Sequence, residues 1–367
     1  MFDKDLIELT VNRFKDTAVL VIGDFSLDSR WTIDATHARL PTHLPFHKYP
    51  ISEESLKSGM AGCIVEILNA LDVGNIYTLG FLSDDPYGFI LKGLLESFNA
   101  NTDFMIENSE QKTTRYIYPR FKGYGNTSAE WNNFFVENEQ TVSCEFVESM
   151  VLERLESCIS KVDAVVVLDY MPIPNTGFVT DAVRNKICEL AAFHPNKIFI
   201  VDSHTRINRY NDVIVKVSRF EAKHALDPKW KGGDVTISEA RDCAIELAQQ
   251  TKKPVYITLD EDGMLVHTAL NSSHIPAVKL TGDIDPIGAG DSVAAVIALA
   301  LSAMNPKTSA NRRHTYQIEE DPHYISHKTH DQYLLAGYLS TLAASVICTK
   351  LGQTGTVTRD EIMERYI

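Results

Sequence analysis

The sequence contains no window of about 18 clean apolar residues, so no membrane-spanning helix is expected. It also lacks basic charge in excess. Lys and Arg number 35 against 49 Asp and Glu, a formal net charge of −14. That balance argues against a nucleic-acid binder or a membrane-surface protein, and it means that an anionic substrate must meet locally placed Arg or Lys. The six cysteines, Cys63, Cys144, Cys158, Cys188, Cys243 and Cys348, form no C-x-x-C pair. Scattered through apolar or helical surroundings, they read as buried free thiols in a reducing cytosol, and a cytoplasmic location is expected. The opening MFDKDLIELTVNRFKD has no signal-peptide apolar core and reads as a charged amphipathic helix. Two phosphate-binding signatures are missing as well. No G-x-x-x-x-G-K-[ST] occurs, which excludes a P-loop enzyme, and no G-x-G-x-x-G opens a helix after the first strand, which excludes the dinucleotide fingerprint.

What remains is a chain of 367 residues with 44% hydrophobic content, enough for a full core. Apolar runs at 19–23, 76–79, 164–168, 198–201, 213–217 and 255–259 read as strands. Helical stripes separate them at 59–71, 87–98, 146–159, 180–193 and 237–250. This alternation predicts an α/β fold, a central mostly parallel sheet with helices on both faces, as a single domain over 1–367. Two segments break the rhythm, at about 30–57 and 112–140, and are expected to form a small discontinuous β lid. A polar insertion at about 306–330 shows no periodicity, and a final long helix is expected at 333–350.

Gly288-Ala289-Gly290-Asp291, set before the apolar run 293–301, marks a loop turning into a helix. Unpaired N–H groups and the positive helix end favour an anion there. A carboxylate beside an anion site needs a reason, and taking a proton from a hydroxyl that attacks a phosphoryl group is one. Several strands also deliver acids to their carboxyl ends, where α/β sheets bind ligands: Asp24, Asp169 and Asp202, with Asp28 just beyond the first. Asp24 and Asp28 suit a polyol, since ionised carboxylates accept hydrogen bonds from hydroxyls. Asp84-Asp85-x-x-Gly88 reads either as a capped helix start or as a loop near the substrate. Arg115, on the lid, is the best local cation for a phosphate.

With these residues in hand, Asp285-x-x-Gly288-Ala289-Gly290-Asp291 resembles the carboxy-terminal motif of the ribokinase-like, phosphofructokinase-B-type carbohydrate kinases. Within that family the nearest branch is the heptose 7-phosphate kinases, resembled at Val21–Asp28 with Trp31, at Leu168-Asp169-Tyr170 and at Lys350–Thr358. The resemblance implies the kinase part alone, without the adenylyltransferase domain that some of those kinases carry. It implies ATP and Mg²⁺ as cofactors, with K⁺ in some members, and phosphorylation of a sugar or sugar phosphate. Asp291 would be the general base, and the amides of 288–291 an anion hole. Asp24, Asp28, Gly59, Arg115 and Asp169 would meet the substrate. Ser218 and Glu221 sit in the family's N-x-x-E segment, whose glutamate organises Mg²⁺ through water. Asp262 and Gly263 would border the nucleotide, and Asp285 would lie by a monovalent-cation site. A homodimer formed through the lid is expected.

The chain departs from the family pattern at Met60, Cys63, Ser218 and Thr341, each of which removes a polar group or a glycine near a ligand. These departures keep two alternatives open: a non-catalytic sugar- or nucleotide-binding protein, and a kinase of a nucleoside or simple hexose. His314, His323, His327 and His330 read as part of a solvated excursion, not a metal site. Tyr124, Trp131, Phe134 and Phe135 read as lid packing or a dimer contact.

Overall fold

A computed structural model of the protein describes residues 2–109, 112–122, 136–137, 145–269, 271–305, 322–351 and 355–366. After helix α1 (Lys4–Asn12), β1 (Ala18–Gly23) enters the core, and β2 (Phe25–Asp34) and β3 (Ile51–Met60) leave it. Next come α2 (Ala61–Ala70), β4 (Asn75–Leu79), β5 (Phe81–Leu82), α3 (Pro86–Ser97), β6 (Ala100–Asn101) and β7 (Ile106–Glu107). The chain returns outward through β8 (Thr114–Lys122) and β9 (Val136–Glu137) and continues with α4 (Glu145–Ile159), β10 (Ala164–Asp169), α5 (Asp181–Phe193) and β11 (Ile198–Ser203). Then follow β12 (Ile214–Ser218), α6 (Arg219–Leu226), α7 (Ile237–Thr251), β13 (Val255–Thr258), β14 (Met264–His267) and β15 (Ser272–Ile275). Helices α8 (Ala289–Met304), α9 (Pro322–Ile347) and α10 (Arg359–Arg365) complete the order.

Among the described residues the main sheet has nine strands in the order β15-β14-β13-β12-β11-β10-β1-β4-β6. All neighbours from β13 to β6 pair in parallel, and β14 and β15 add an antiparallel edge. The strands are buried on both faces, and their residues divide by parity. Val19, Val21, Val166 and Leu168 pack with α1, α2, α8, α9 and α10. Leu20, Ile22, Val165 and Val167 pack with α4, α5, α6 and α7. This is why these strands read as continuous Val/Ile/Leu runs and not as alternating ones. Helix α8 is buried on every side from Ser292 to Ala303, and its alanines let it lie directly on β10 and β11.

Local chemistry fixes the helix starts. Ser218 with Glu221, Thr236 with Glu239, and Thr358 with Glu361 each form a capping box. Asp85 caps α3, with Pro86 in its first turn. Asp85 also accepts the N–H and hydroxyl of Thr113 at 2.9 and 2.8 Å, so the cap ties α3 to the approach of β8.

The second sheet, β3-β2-β8-β9, is built from the two segments expected to form a lid. Its strands start and end closer to the core than the segments 30–57 and 112–140 suggest. Only Asp24 separates β1 from β2, and β3 runs directly into α2. Residues 123–135 and 138–144, with Tyr124, Trp131, Phe134 and Phe135, lie outside the described residues. The expected polar stretch 306–330 ends sooner than read, because α9 begins at Pro322. His314 lies outside the described residues. His330 is no solvated residue: its ring meets Thr268 Oγ1 at 2.9 Å and Ser273 Oγ at 3.3 Å, fastening α9 to the β14–β15 hairpin.

Candidate active site

Two carboxylates gather where β1 gives way to the lid. Asp24 accepts the Phe178 N–H on Oδ1 at 2.8 Å, while its Oδ2 is buried without a partner. Burial raises this carboxyl to about 7. Asp28, two pleats further on, accepts the Ser26 hydroxyl at 2.8 Å. Burial raises it to about 6, against the pull of that bond and of Arg30. Both groups are buried acids whose titration is raised by desolvation, and an ionised carboxylate there can accept hydrogen bonds from hydroxyls. Gly59 pairs with Ser26 across the lid and lies against the Asp28 carboxylate. Met60, where the family pattern has a second glycine, adopts φ +52° and ψ −122°, a conformation that suits glycine. Cys63 is buried beside Asp28 and Asp291. Burial and those two acids push its thiol well above the ordinary range, so it stays neutral.

Gly288, at φ +85°, turns the chain into α8. The amide of Ala289 donates to the Pro286 carbonyl at 3.0 Å, and that of Ser292 starts the helical ladder by bonding Gly288 at 3.0 Å. The anion hole expected over 288–291 therefore loses Ala289. The first-turn amides of Gly290 and Asp291, which precede the ladder, remain to face an anion. Lys216, from β12, brings its ammonium beneath this turn, 3.0 Å from where a Cβ on Gly290 would stand. A phosphate at the helix start would thus meet amides and an ammonium together.

Lys216 Nζ donates to Asp202 Oδ2 at 2.6 Å, deep in the protein. Burial alone would lower the ammonium, but Asp202, with Glu221 and Asp291, outweighs it and keeps Lys216 charged. The Tyr170 hydroxyl lies 2.9 Å from Asp202 Oδ2 and 3.1 Å from Asp291 Oδ1. Burial raises the Asp291 carboxyl to about 6. Lys216 opposes that rise, Asp202 adds to it, the Tyr170 bond opposes it, and Asp28 adds to it. An acid with this value is mostly ionised at neutral pH yet basic enough to accept a proton from an alcohol as a bond forms. The face of the Tyr170 ring stacks on His204 at 4.0 Å.

Ser218 and Glu221 are occupied with each other. The glutamate accepts the Ser218 N–H at 2.8 Å through Oε2, and its Oε1 lies 3.7 Å from His204. One oxygen of Glu221 is thus left on the site side, which fits a water-mediated role toward Mg²⁺. That ion keeps several waters and takes few protein carboxylates. Asp262 pairs with Arg219 at 3.0 Å, and Gly263, at φ +96°, makes the tight turn into β14. Asp285 accepts the Ile287 N–H at 3.1 Å and donates its own N–H to Cys348 at 2.9 Å. Thr341 donates its hydroxyl hydrogen back to the Gly337 carbonyl at 2.9 Å, so that hydrogen is committed within α9.

Two expected substrate residues are placed otherwise. Asp169 is buried in a network with Arg206 at 2.7 Å, Tyr210 at 3.0 Å, Ser203 at 3.1 Å and Arg184 at 3.3 Å. Both of its oxygens accept from buried arginines, an arrangement that fits a structural anchor better than a sugar ligand. Arg115 pairs with Leu27 and so shares the lid face of Ser29 and Glu54, opposite to Asp28. Its guanidinium covers the Tyr87 ring at 3.6 Å. On the Asp28 face stand Arg30, two residues along β2, and Lys57, directly across from Asp28 on β3, both of which the sequence reading passed over. That reading also passed over Lys216, Tyr170 and His204 as individual site residues.

The profile of the pfkB family carbohydrate kinases matches residues 58–313. Among curated proteins, the bifunctional protein HldE of Caulobacter sp. (strain K31) is 27% identical over 95% of this chain and 63% of its own length. The HldE of Citrifermentans bemidjiense is 25% identical over 81% of this chain and 58% of its own length. The chain thus spans less than two thirds of these relatives. Phosphofructokinase-2 from Escherichia coli, in a complex with potassium, shares the fold at a TM-score of 0.65 with 16% identity, covering 95% of this chain and 98% of that one. Ribokinase from Giardia lamblia does so at 0.67 with 14% identity, over 95% and 99%. No described helix is long and apolar enough to cross a membrane. With a family profile over most of its length and a ribokinase-like sheet beneath it, this chain belongs to the pfkB family of carbohydrate kinases.

Proposed function

We propose that this kinase transfers the γ-phosphate of ATP to a hydroxyl of a sugar phosphate, with Asp291 as the general base. The observation that carries the reading is the Asp291 carboxylate, raised to about 6 at the first turn of α8 with the Lys216 ammonium beneath it. Asp24 Oδ2 and Asp28 accept hydroxyls of the acceptor and orient one of them toward Asp291. The amides of Gly290 and Asp291, together with Lys216, hold the negative charge that spreads over the transferring group. Glu221 would hold Mg²⁺ through water, and the ion would supply further charge neutralisation. Asp285 would border a monovalent cation such as K⁺. The lid excludes water from the reaction.

Arg30, on the Asp28 face of the lid, supports an acceptor that already carries a phosphate, and similarity to the HldE proteins supports a heptose 7-phosphate-like sugar. A second copy of the chain is proposed to dock on the lid, where Leu40, Phe46 and Ile51 are exposed. Sedimentation tests this: a monomer at micromolar concentration would remove it.

ADP release from Mg-ATP, measured with heptose 7-phosphate, hexose phosphates, hexoses, ribose and adenosine, tests the function. Turnover with a sugar phosphate that falls about 10²–10⁴-fold in Asp291→Asn is the expected result. ATP binding without turnover on any acceptor would overturn it in favour of a binding protein.

A further inference from the structure

The Tyr170 hydroxyl has one hydrogen and two carboxylates within reach, Asp291 Oδ1 at 3.1 Å and Asp202 Oδ2 at 2.9 Å. It cannot donate to both. Asp202 already receives the Lys216 ammonium at 2.6 Å on that same oxygen, and its other oxygen is buried without a partner. The ring stacks on His204 at 4.0 Å with an interplanar angle of 13°, which orients the hydroxyl between the two acids. Burial and the two acids push the phenol well above its ordinary range, so it stays a donor.

We propose that Tyr170 is the positioning residue of the base, a hydroxyl whose hydrogen follows the negative charge between Asp291 and Asp202. This rests on Asp291 being the base. While Asp291 is ionised, the hydrogen points to its Oδ1, fixes the carboxylate plane and leaves Oδ2 for the acceptor hydroxyl. When the acceptor proton arrives on Oδ2, Asp291 becomes a weak acceptor and the hydrogen turns to Asp202, which is paired with Lys216. No proton leaves Tyr170 in either state. The hydrogen is a built-in compensation for the charge that the base gains and loses. It needs no water in a site that the lid closes.

The groups facing Asp291 are Lys216 from β12, Asp202 from β11, Tyr170 after β10, Asp28 from β2 and Cys63 from α2. Against that set, two variants move the Asp291 titration in opposite directions. Tyr170→Phe keeps the ring on His204 and deletes the donor, so Asp291 titrates higher. Asp202→Asn removes a nearby negative charge, frees Lys216 toward Asp291 and leaves the Tyr170 hydrogen no rival anion, so Asp291 titrates lower.

The test is carboxyl ¹³C titration of the full chain with aspartate-selective labelling, the Asp291 signal being identified by its loss in Asp291→Asn. The expected result is an upward shift of about 0.5–1 pH unit in Tyr170→Phe, the scale of one hydrogen bond to a charged group shared between acceptors. Asp202→Asn should shift it downward by a similar amount. An unmoved signal in Tyr170→Phe, or shifts of the same sign, would overturn the proposal. Should Asp202→Asn fail to fold, Tyr170→Phe alone decides. The readout needs no acceptor. Full turnover in Asp291→Asn would refute the base, whereas an inactive Asp291→Asn with an unmoved Tyr170→Phe titration would refute only Tyr170.

Discussion

A methyl group added to Gly59 would stand 2.1 Å from Oδ1 of Asp28 and 2.3 Å from the Ser26 hydroxyl. Gly59 is therefore the space that Asp28 occupies. Gly59→Ala should displace that carboxylate, raising KM for the acceptor about tenfold or more while KM for ATP changes less than about twofold, since one displaced polar contact is worth roughly 1–3 kcal/mol. Steady-state kinetics with each substrate varied checks this; equal rises in both constants would contradict it.

The buried acids predict an inverted pH dependence of stability. Asp24 stands near 7, and Asp28 and Asp291 near 6, all raised from 3.8. Below the unfolded value both states are protonated and the contribution is fully present. As pH rises from about 4 to about 7, the unfolded chain releases these protons before the folded one, so stability falls. Denaturant unfolding at pH 5 and pH 8 should show a smaller loss in Asp24→Asn than in the wild type, by on the order of 2–4 kcal/mol. An identical loss would mean that Asp24 is ionised in the folded state.

Asp169 separates anchor from ligand. Asp169→Asn leaves Arg206 and Arg184 buried without their counter-charge, which costs about 3–5 kcal/mol. Calorimetry should show a Tm lowered by several degrees. A substrate ligand would instead give a normal Tm with a raised acceptor KM.

Arg219 holds the Asp260–Asp262 turn beside Gly263 by pairing with Asp260 and Asp262 and donating to the carbonyls of Val235 and Leu259. Lysine cannot make this fork. Arg219→Lys should raise KM for ATP by about 3–30-fold, on roughly 1–2 kcal/mol of lost hydrogen bonding, and leave the acceptor KM near the wild-type value. The reverse pattern would detach this turn from the nucleotide.

Where the sequence was legible, one residue type or one run sufficed. Buried parallel strands announce themselves as Val/Ile runs, and the Gly288–Asp291 turn carries its chemistry within four residues. Where it was not, partners came from separate strands. Tyr170, Asp202 and Lys216 meet only because β10, β11 and β12 pair in register, Leu168 with Asp202 and Asp202 with Lys216. Arg115 was misjudged by a single step of strand alternation, which decides the face. Asp169 looked like its neighbours at strand ends, and nothing near it in sequence announces Arg206, which neutralises it. The start of α9 carried too weak a pattern to be seen.

At β2 and β3 the lid joins the core almost without linker, since only Asp24 separates β1 from β2 and β3 runs directly into α2. Strand β2 leaves the core at Asp24 and β3 returns at Met60, and the Ala61 N–H bonds the Asp24 carbonyl at 3.0 Å, so these two connections share one pivot. Any swing of the lid turns about the residues that would grip the acceptor. A sugar seated on Asp24 loads the fulcrum itself, and a strained Met60 stands at the other side of the same joint. With the acceptor on Asp24 as proposed, occupancy and closure would be one mechanical event, with no lever arm between the grip and the door.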